Sequence, residues 1–379
     1  MKKVIIIIFS LFIFTSVVHA EEFASNAKSA VLMEYSTGKI LYEKNANERL
    51  APASMTKIMT MLLTMEAIDQ NKISMDTEVT VSPNAANMGG SQMFLNANTT
   101  IKVSELLKGV SIASANDAAV ALAETIGGSE ENFVKMMNDK ANELGLKNTN
   151  FQNPHGLDKE GHFSTANDMA IMARELIKHE DILKFTSTYE DYYNKNDGSR
   201  TWLVNTNKLV RFYKGVDGLK TGFTETAGYC LTATAKKNDI RFITVVMGEE
   251  SSDVRSKETT ELLNYAFNSY KLNTIIDENK ELGKIFVEKG NIDNATLITK
   301  KAITEVELKT ENNKNYTYNI KTNNVKAPVK KGDVVGSIEI KDSDGLIVRE
   351  EELTIKENVD KIGFLKILFK NFKLLLSGK

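Results

Sequence analysis

The pattern of apolar and polar positions changes several times along this chain. Lys2 and Lys3 open it, an almost unbroken apolar run follows from Val4 to Val18, and Val18-His19-Ala20 then offers small residues at the two positions a signal peptidase reads. That is the layout of an export signal cleaved after Ala20. The run is short for a membrane span, which needs about 20 residues. Ala30-Val31-Leu32-Met33 and Lys39-Ile40-Leu41-Tyr42 flank Ser36-Thr37-Gly38, which predicts a β-hairpin. The period then becomes helical. Ile58, Met61, Leu62, Met65 and Ile68 share one face of a helix over Ser54–Ile68. Amphipathic runs over Val103–Gly109, Asp117–Ile126, Glu130–Leu144 and Thr165–Ile177 predict further helices. Strand-like runs return at Gly228–Ala235 and Ile240–Met247, with the turn signal Lys237-Asn238-Asp239 between them and a helix from Ser256 to Tyr270 behind them. Strands at both ends and helices between them predict an α+β domain, in which the two ends of the chain close one antiparallel sheet around an inserted helical block.

After Asn273 the texture changes again. Leu282–Val287, Ala295–Ile298, Val306–Leu308, Tyr316–Ile320 and Val334–Ile340 are short β-rich runs separated by polar turns. They predict a small all-β domain. From Lys361 to Lys379 there are lysines at 361, 366, 370, 373 and 379 and no acidic residue. Lys366, Lys370 and Lys373 fall in one sector of a helix, opposite Ile362, Leu365, Leu368, Phe369, Phe372, Leu375 and Leu376. A basic amphipathic helix of this kind lies on an anionic membrane surface and does not cross it. The expected organisation is therefore a signal peptide over 1–20, a catalytic domain over 21–273, a β-domain over 274–355 and a membrane-surface helix over 356–379.

Composition narrows the function. Lys+Arg is 48 against Asp+Glu 50, which argues against a nucleic-acid binder. A single cysteine, Cys230, excludes an intrachain disulfide and a cysteine-based zinc cluster. It reads as a buried, inert thiol in an apolar strand. Only four histidines are present, so little material exists for a histidine metal site. His155, between Pro154 and Gly156, reads as part of a structural loop and not as the base of a Ser-His-Asp triad with Asp158.

Three short motifs carry the candidate chemistry: Ser54-Met55-Thr56-Lys57 at the start of the first long helix, Ser114-Ala115-Asn116 just before another helix, and Lys220-Thr221-Gly222 at the end of a strand-like segment. Singly they discriminate little. Ser25-Asn26-Ala27-Lys28 is a second Ser-x-x-Lys, and Ser82-Pro83-Asn84 is a second Ser-x-Asn. Order and placement separate the copies. Ser54 and Lys57 are i and i+3 on one helix face, whereas Ser25 has no helical run behind it. A serine hydroxyl is a poor nucleophile until a base takes its proton. A lysine amine serves as that base when desolvation and a neighbouring cation favour its neutral form. Lys57 is placed to do so for Ser54, with Lys220 as the neighbouring charge. Ser114 can pass a proton to a leaving group, and Asn116 can fix Lys57 and a substrate amide. Lys220 or Thr221 can hold a substrate carboxylate. The N–H groups of Ser54 and Phe223 can form an oxyanion hole.

Ser-x-x-Lys, Ser-x-Asn and Lys-Thr-Gly in this order mark β-lactamases and penicillin-binding proteins. The chain resembles the low-molecular-mass penicillin-binding proteins that act as serine-type D-alanyl-D-alanine carboxypeptidases. The resemblance runs over nearly the whole mature chain. It includes Ala51-Pro52-Ala53 before Ser54, Asp117-Ala118-Ala119 after Asn116, Asn153-Pro154-His155-Gly156-Leu157-Asp158, and Asp217-Gly218-Leu219 before Lys220. It implies Ser54 as the acylated nucleophile, Lys57 as its base, and Ser114, Asn116, Lys220, Thr221 and Gly222 as the rest of the site, with Arg255 near the substrate carboxylate. Phe223 stands where many relatives have Thr. The resemblance further implies peptidoglycan pentapeptide ending in D-Ala-D-Ala as substrate and β-lactams as inhibitors. It implies no metal or cofactor. The export signal and the basic tail together predict an exported protein on the outer face of the cytoplasmic membrane, attached by the C-terminal helix. Two rival readings are a class A β-lactamase, against which no Glu-x-x-Leu-Asn lies between Ser114 and Lys220, and a non-catalytic wall-binding scaffold.

Overall fold

A computed structural model describes residues 23–195, 198–311 and 314–363. Strands β1 (Ser29–Glu34) and β2 (Ile40–Lys44) form the expected hairpin. The chain then leaves this sheet and returns to it at β3 (Val216–Thr224), β4 (Gly228–Lys237) and β5 (Ile240–Glu249). The sheet is antiparallel throughout, in the order β2-β1-β5-β4-β3. The two ends of the domain therefore meet at its centre, where Val31 lies opposite Val245.

Both faces of this sheet are covered, so β1 is buried along its whole length and lacks the alternation of a half-exposed strand. Successive residues feed two separate cores. Val31, Met33, Ile243 and Val245 pack against the helical block. Leu32, Phe242 and Val246 pack against helix α6 (Ser252–Ser269) through Leu262, Leu263 and Ala266. The block consists chiefly of α1 (Lys57–Asp69), α2 (Val103–Ile112), α3 (Asn116–Gly127), α4 (Glu130–Glu143) and α5 (Ala166–Ile177). Helix α1 is buried nearly all round, Met59, Met61 and Met65 included, and is the axis of the block.

Several elements differ from expectation. Ser54 lies in a 3-10 turn over Ala53–Thr56, and α1 itself begins at Lys57. Helix α6 starts at Ser252 rather than Ser256, because Ser251 caps it by accepting from the Val254 N–H at 3.2 Å. A hairpin of Glu190–Asn194 with Arg200–Val204 occupies a segment where the sequence pattern predicts no strand.

The second domain follows α6 directly. β6 (Tyr270–Ile276) pairs with β9 (Ile303–Leu308). β7 (Glu281–Glu288), β8 (Asn294–Thr299), β10 (Thr317–Thr322), β11 (Val325–Lys326), β12 (Gly336–Lys341) and β13 (Ile347–Ile355) form a sheet of order β10-β12-β13-β8-β7-β11. Its limits lie outside those read from the chain, at both ends. The first strand begins at Tyr270, and beyond Ile355 the backbone still pairs, Val359 with Val329 and Lys361 with Gly290. Residues 356–363 are therefore part of the β-domain and not the start of a helix: Val359 is wholly buried in its core. The expected signal peptide, and residues 364–379 of the expected tail helix, lie outside the described residues. Among the described residues no helix is long and apolar enough to cross a membrane.

Candidate active site

The site lies where the edge strand β3 passes the N-terminal end of α1. Ser54 is half-buried on the 3-10 turn, whose entry requires a left-handed Ala53 (φ 46°). Two glycines let other segments close on this turn. A Cβ on Gly222 would meet the Pro52 carbonyl oxygen at 2.8 Å, which places β3 alongside the turn. A Cβ on Gly156 would meet the Ala53 carbonyl oxygen at 1.9 Å, and Gly156 has φ +88°. Only glycine fits there.

Lys57, the first residue of α1, is fully buried. Its Nζ lies 3.0 Å from Ser54 Oγ and donates to Asn116 Oδ1 at 2.7 Å and to the His155 carbonyl at 2.6 Å. Asn116 is held in register because its Nδ2 donates to the Gly89 carbonyl at 2.7 Å, which turns Oδ1 toward Lys57. Burial, then repulsion from Lys220, holds the Lys57 ammonium well below the ordinary lysine range, with Asp117 opposing. Lys220 is also fully buried, and burial together with the Arg255 charge brings it down to about 7. Its Nζ donates to the Thr221 carbonyl at 3.0 Å, and the Thr221 hydroxyl donates to Thr206 Oγ1 at 2.6 Å. Lys57 thus reaches the Ser54 hydroxyl directly, Lys220 acts on Lys57 through its charge, and Arg255 acts likewise on Lys220.

Three acceptors, Ser54 Oγ, Asn116 Oδ1 and the His155 carbonyl, surround Lys57 Nζ and match the three N–H groups of an ammonium. Loss of one proton, which burial favours, would free a lone pair to take the Ser54 proton while two N–H groups stay engaged.

Ser114 lies just ahead of α3 in left-handed backbone (φ 61°) and is buried. Arg255, on α6, is buried with its Nε free of hydrogen bonds among the described residues. Phe223 follows Gly222 on β3, with its ring exposed and stacked on Tyr229 at 4.3 Å between centroids. Of the residues named from the motifs, Ser54, Lys57 and Asn116 are joined by hydrogen bonds and Lys220 acts on Lys57 through its charge, while Ser114 lies two residues from Asn116.

Sequence reasoning missed three contributors. His155 enters through its backbone carbonyl, whereas burial pushes its imidazole down to about 3 and the ring accepts from the Leu157 N–H at 3.2 Å. Asp117 accepts from the Met93 and Leu95 N–H groups, each at 3.1 Å, and so ties the loop that holds Asn116 to α3. Thr206 fixes Thr221. A carbonyl has no residue-specific signal in a sequence. The Pro154-His155-Gly156 triplet was the one trace of it.

The decoys are excluded by placement. Ser25 and Lys28 are exposed, and Ser82 caps the short helix Pro83–Ala86. Cys230 is buried, with its thiol raised to about 11 by burial. Asp217 pairs with Arg241 at 2.7 Å and serves the sheet.

Residues 16–251 match the D-alanyl-D-alanine carboxypeptidase family, peptidase S11, and residues 270–361 match the C-terminal domain of penicillin-binding protein 5. The chain belongs to this family. It is 52% identical over 348 residues to the D-alanyl-D-alanine carboxypeptidase DacF of Bacillus subtilis, covering 92% of this chain and 89% of that protein. Its fold is similar to penicillin-binding protein 5 of Haemophilus influenzae, at 34% identity and TM-score 0.73, over 90% of this chain and 98% of the other. The ampicillin-bound form of penicillin-binding protein D2 from Listeria monocytogenes is similar over 64% of this chain and 97% of its own, at 33% identity and TM-score 0.57. The protein is thus a serine-type D-Ala-D-Ala carboxypeptidase acting on peptidoglycan.

Proposed function

We propose that Ser54 is the nucleophile of this carboxypeptidase and Lys57 its general base. The observation that supports this is the fully buried Lys57 amine 3.0 Å from Ser54 Oγ, also hydrogen-bonded to Asn116 Oδ1 and the His155 carbonyl. Ser54 Oγ attacks the carbonyl of the penultimate D-alanine while its proton passes to Lys57 Nζ. The oxyanion is held by the N–H groups of Ser54 and Phe223, a pairing supported by the close approach of Gly222 to the Ser54 turn. The C–N bond breaks and the leaving D-alanine amine takes a proton delivered through Ser114. Water then hydrolyses the ester on Ser54, with Lys57 again accepting the proton. Lys220, Thr221 and Arg255 bind the terminal carboxylate, and Asn116 positions Lys57 and the peptide amide.

Residues 1–20 direct export and are removed, and residues 364–379 hold the enzyme on the outer face of the cytoplasmic membrane. The basic, apolar-striped tail sequence supports that attachment.

The test is free D-alanine released from an N-acylated L-Lys-D-Ala-D-Ala tripeptide by the full chain and by Ser54→Ala, with penicillin labelling in parallel. Loss of both signals in the variant is expected. Full penicillin labelling of Ser54→Ala would sink the assignment.

A further inference from the structure

The hairpin of Glu190–Asn194 and Arg200–Val204 takes no part in the mechanism above, yet it is fastened to the site at two places. Just past it, Thr206 holds Thr221, and within it Thr201 Oγ1 donates to the Met93 carbonyl at 3.3 Å. Its inner face is buried through Tyr193 and Leu203. Its outer face presents Tyr192 and Trp202 side by side as a cross-strand pair, with Trp202 59% exposed. The Arg200 guanidinium lies 4.3 Å from the centre of the Tyr192 ring.

Phe94 extends this surface from the loop beside Asn116. It is 61% exposed, between Met93 and Leu95, which are both buried. Its backbone is left-handed (φ 60°), a conformation unfavourable for a bulky side chain. The Asp117 carboxylate enforces it by accepting from the N–H groups on both sides of Phe94. The Lys195 ammonium, at the end of the first hairpin strand, sits 5.9 Å from the Phe94 ring centre. A strained aromatic held outward beside an active site points to a ligand contact.

We propose that Phe94, Tyr192 and Trp202 form a platform for the glycan strand of the peptidoglycan substrate. This rests on the carboxypeptidase reading of the adjoining site. A sugar chain offers flat C–H faces edged with hydroxyls, and aromatic rings with polar edges match that surface. The stem peptides it carries end in carboxylates, and Arg200 and Lys195 supply positive charge beside the rings. Continuity with the Asn116 loop and with Thr221 sets the platform beside the peptide cleft, where a strand delivering its stem peptide to Ser54 would run.

Trp202 is the chain's one tryptophan, so its emission reports on the platform directly. Peptide-free glycan strands added to the full chain are expected to shift that emission to shorter wavelength, saturably. Tyr192→Ala is expected to weaken this binding about tenfold. Trp202→Ala is expected to raise KM for polymeric pentapeptide-bearing peptidoglycan by about tenfold, with kcat held, and to leave release from the short tripeptide within about twofold because that substrate carries no glycan. An unchanged emission with glycan, or equal losses on polymer and tripeptide, overturns the platform. So does a shift produced by anionic lipid vesicles and not by glycan, which would make the patch a membrane contact. Saturable glycan binding without D-alanine release from either substrate would support the platform while refuting the catalytic assignments.

Discussion

The chain carries Ser-x-x-Lys twice, and the two copies sit in opposite surroundings. Ser25 and Lys28 lie exposed on the segment leading into β1, where among the described residues the Ser25 hydroxyl donates to Glu258 Oε1 at 3.4 Å. Ser54 and Lys57 straddle the junction of a 3-10 turn and a helix buried on every side. At the first copy the lysine side chain is exposed to water. At the second, burial and the Lys220 charge penalise the ammonium. The spacing is shared and the chemistry is not, because a lysine becomes a base only where its charged form is penalised.

This contrast is open to direct attack. Ser54→Ala is expected to cut D-alanine release on the order of 10⁵-fold or more, whereas Ser25→Ala leaves it intact. Steady-state release assays on both variants check this, and equal losses would erase the distinction. Lys57→Ala is expected to lower kcat by about 10²- to 10⁴-fold, as for loss of a general base. Lys28→Ala, an exposed position, should stay within about twofold of the parent.

Lys220→Met probes the electrostatics more finely. It removes a substrate contact, for a fall in kcat/KM of about 10- to 100-fold. It also removes the cation that depresses Lys57. The Lys57 amine then holds its proton to higher pH, so the acid limb of the kcat/KM profile should move upward. Lys220→Arg keeps the charge and should leave the limb in place. A limb that stays put in Lys220→Met would mean burial alone tunes Lys57.

Gly156→Ala tests the packing that brings the His155 carbonyl to Lys57. The added Cβ meets backbone and the φ is left-handed, so a loss of about 2 to 5 kcal/mol is expected in denaturant melts. The smallest effect comes from the histidines beneath the site. His162 Nδ1 accepts from the Gln152 N–H at 2.9 Å, and its Nε2–H donates to Thr56 Oγ1 at 2.8 Å. Burial lowers this ring to about 4. The unfolded chain takes up the proton near pH 6.5 and the folded one only near 4, so stability should be full above 6.5 and fall as the pH drops toward 4. The His162 share is roughly 3 kcal/mol. In His162→Gln that part of the acid sensitivity should vanish, as read from melts at successive pH values.

The periodicities legible in the chain were those of elements packed on one or two regular faces: β1, β2, β4, β5, and α2 to α5. In the Glu190–Val204 hairpin the strand-favouring residues Tyr192, Tyr193, Thr201, Trp202 and Val204 are short runs among charged neighbours, and only the pairing partner makes them strands. The end of the β-domain was hidden for the same reason. Val359 reads as a lone apolar residue in a polar stretch until it is seen paired with Val329 in the core.

Residue order alone determined the alternation of strands, helices and strands, the three motifs and the basic, apolar-striped tail. These are properties of neighbours along the chain, and spacing reveals them. The tertiary structure decided which Ser-x-x-Lys loses its water, which carbonyl receives the Lys57 amine, and that Asp117 turns Phe94 outward. Each of these depends on desolvation or on contact between segments far apart in sequence. Burial is produced by the whole fold, so no window of residues contains it.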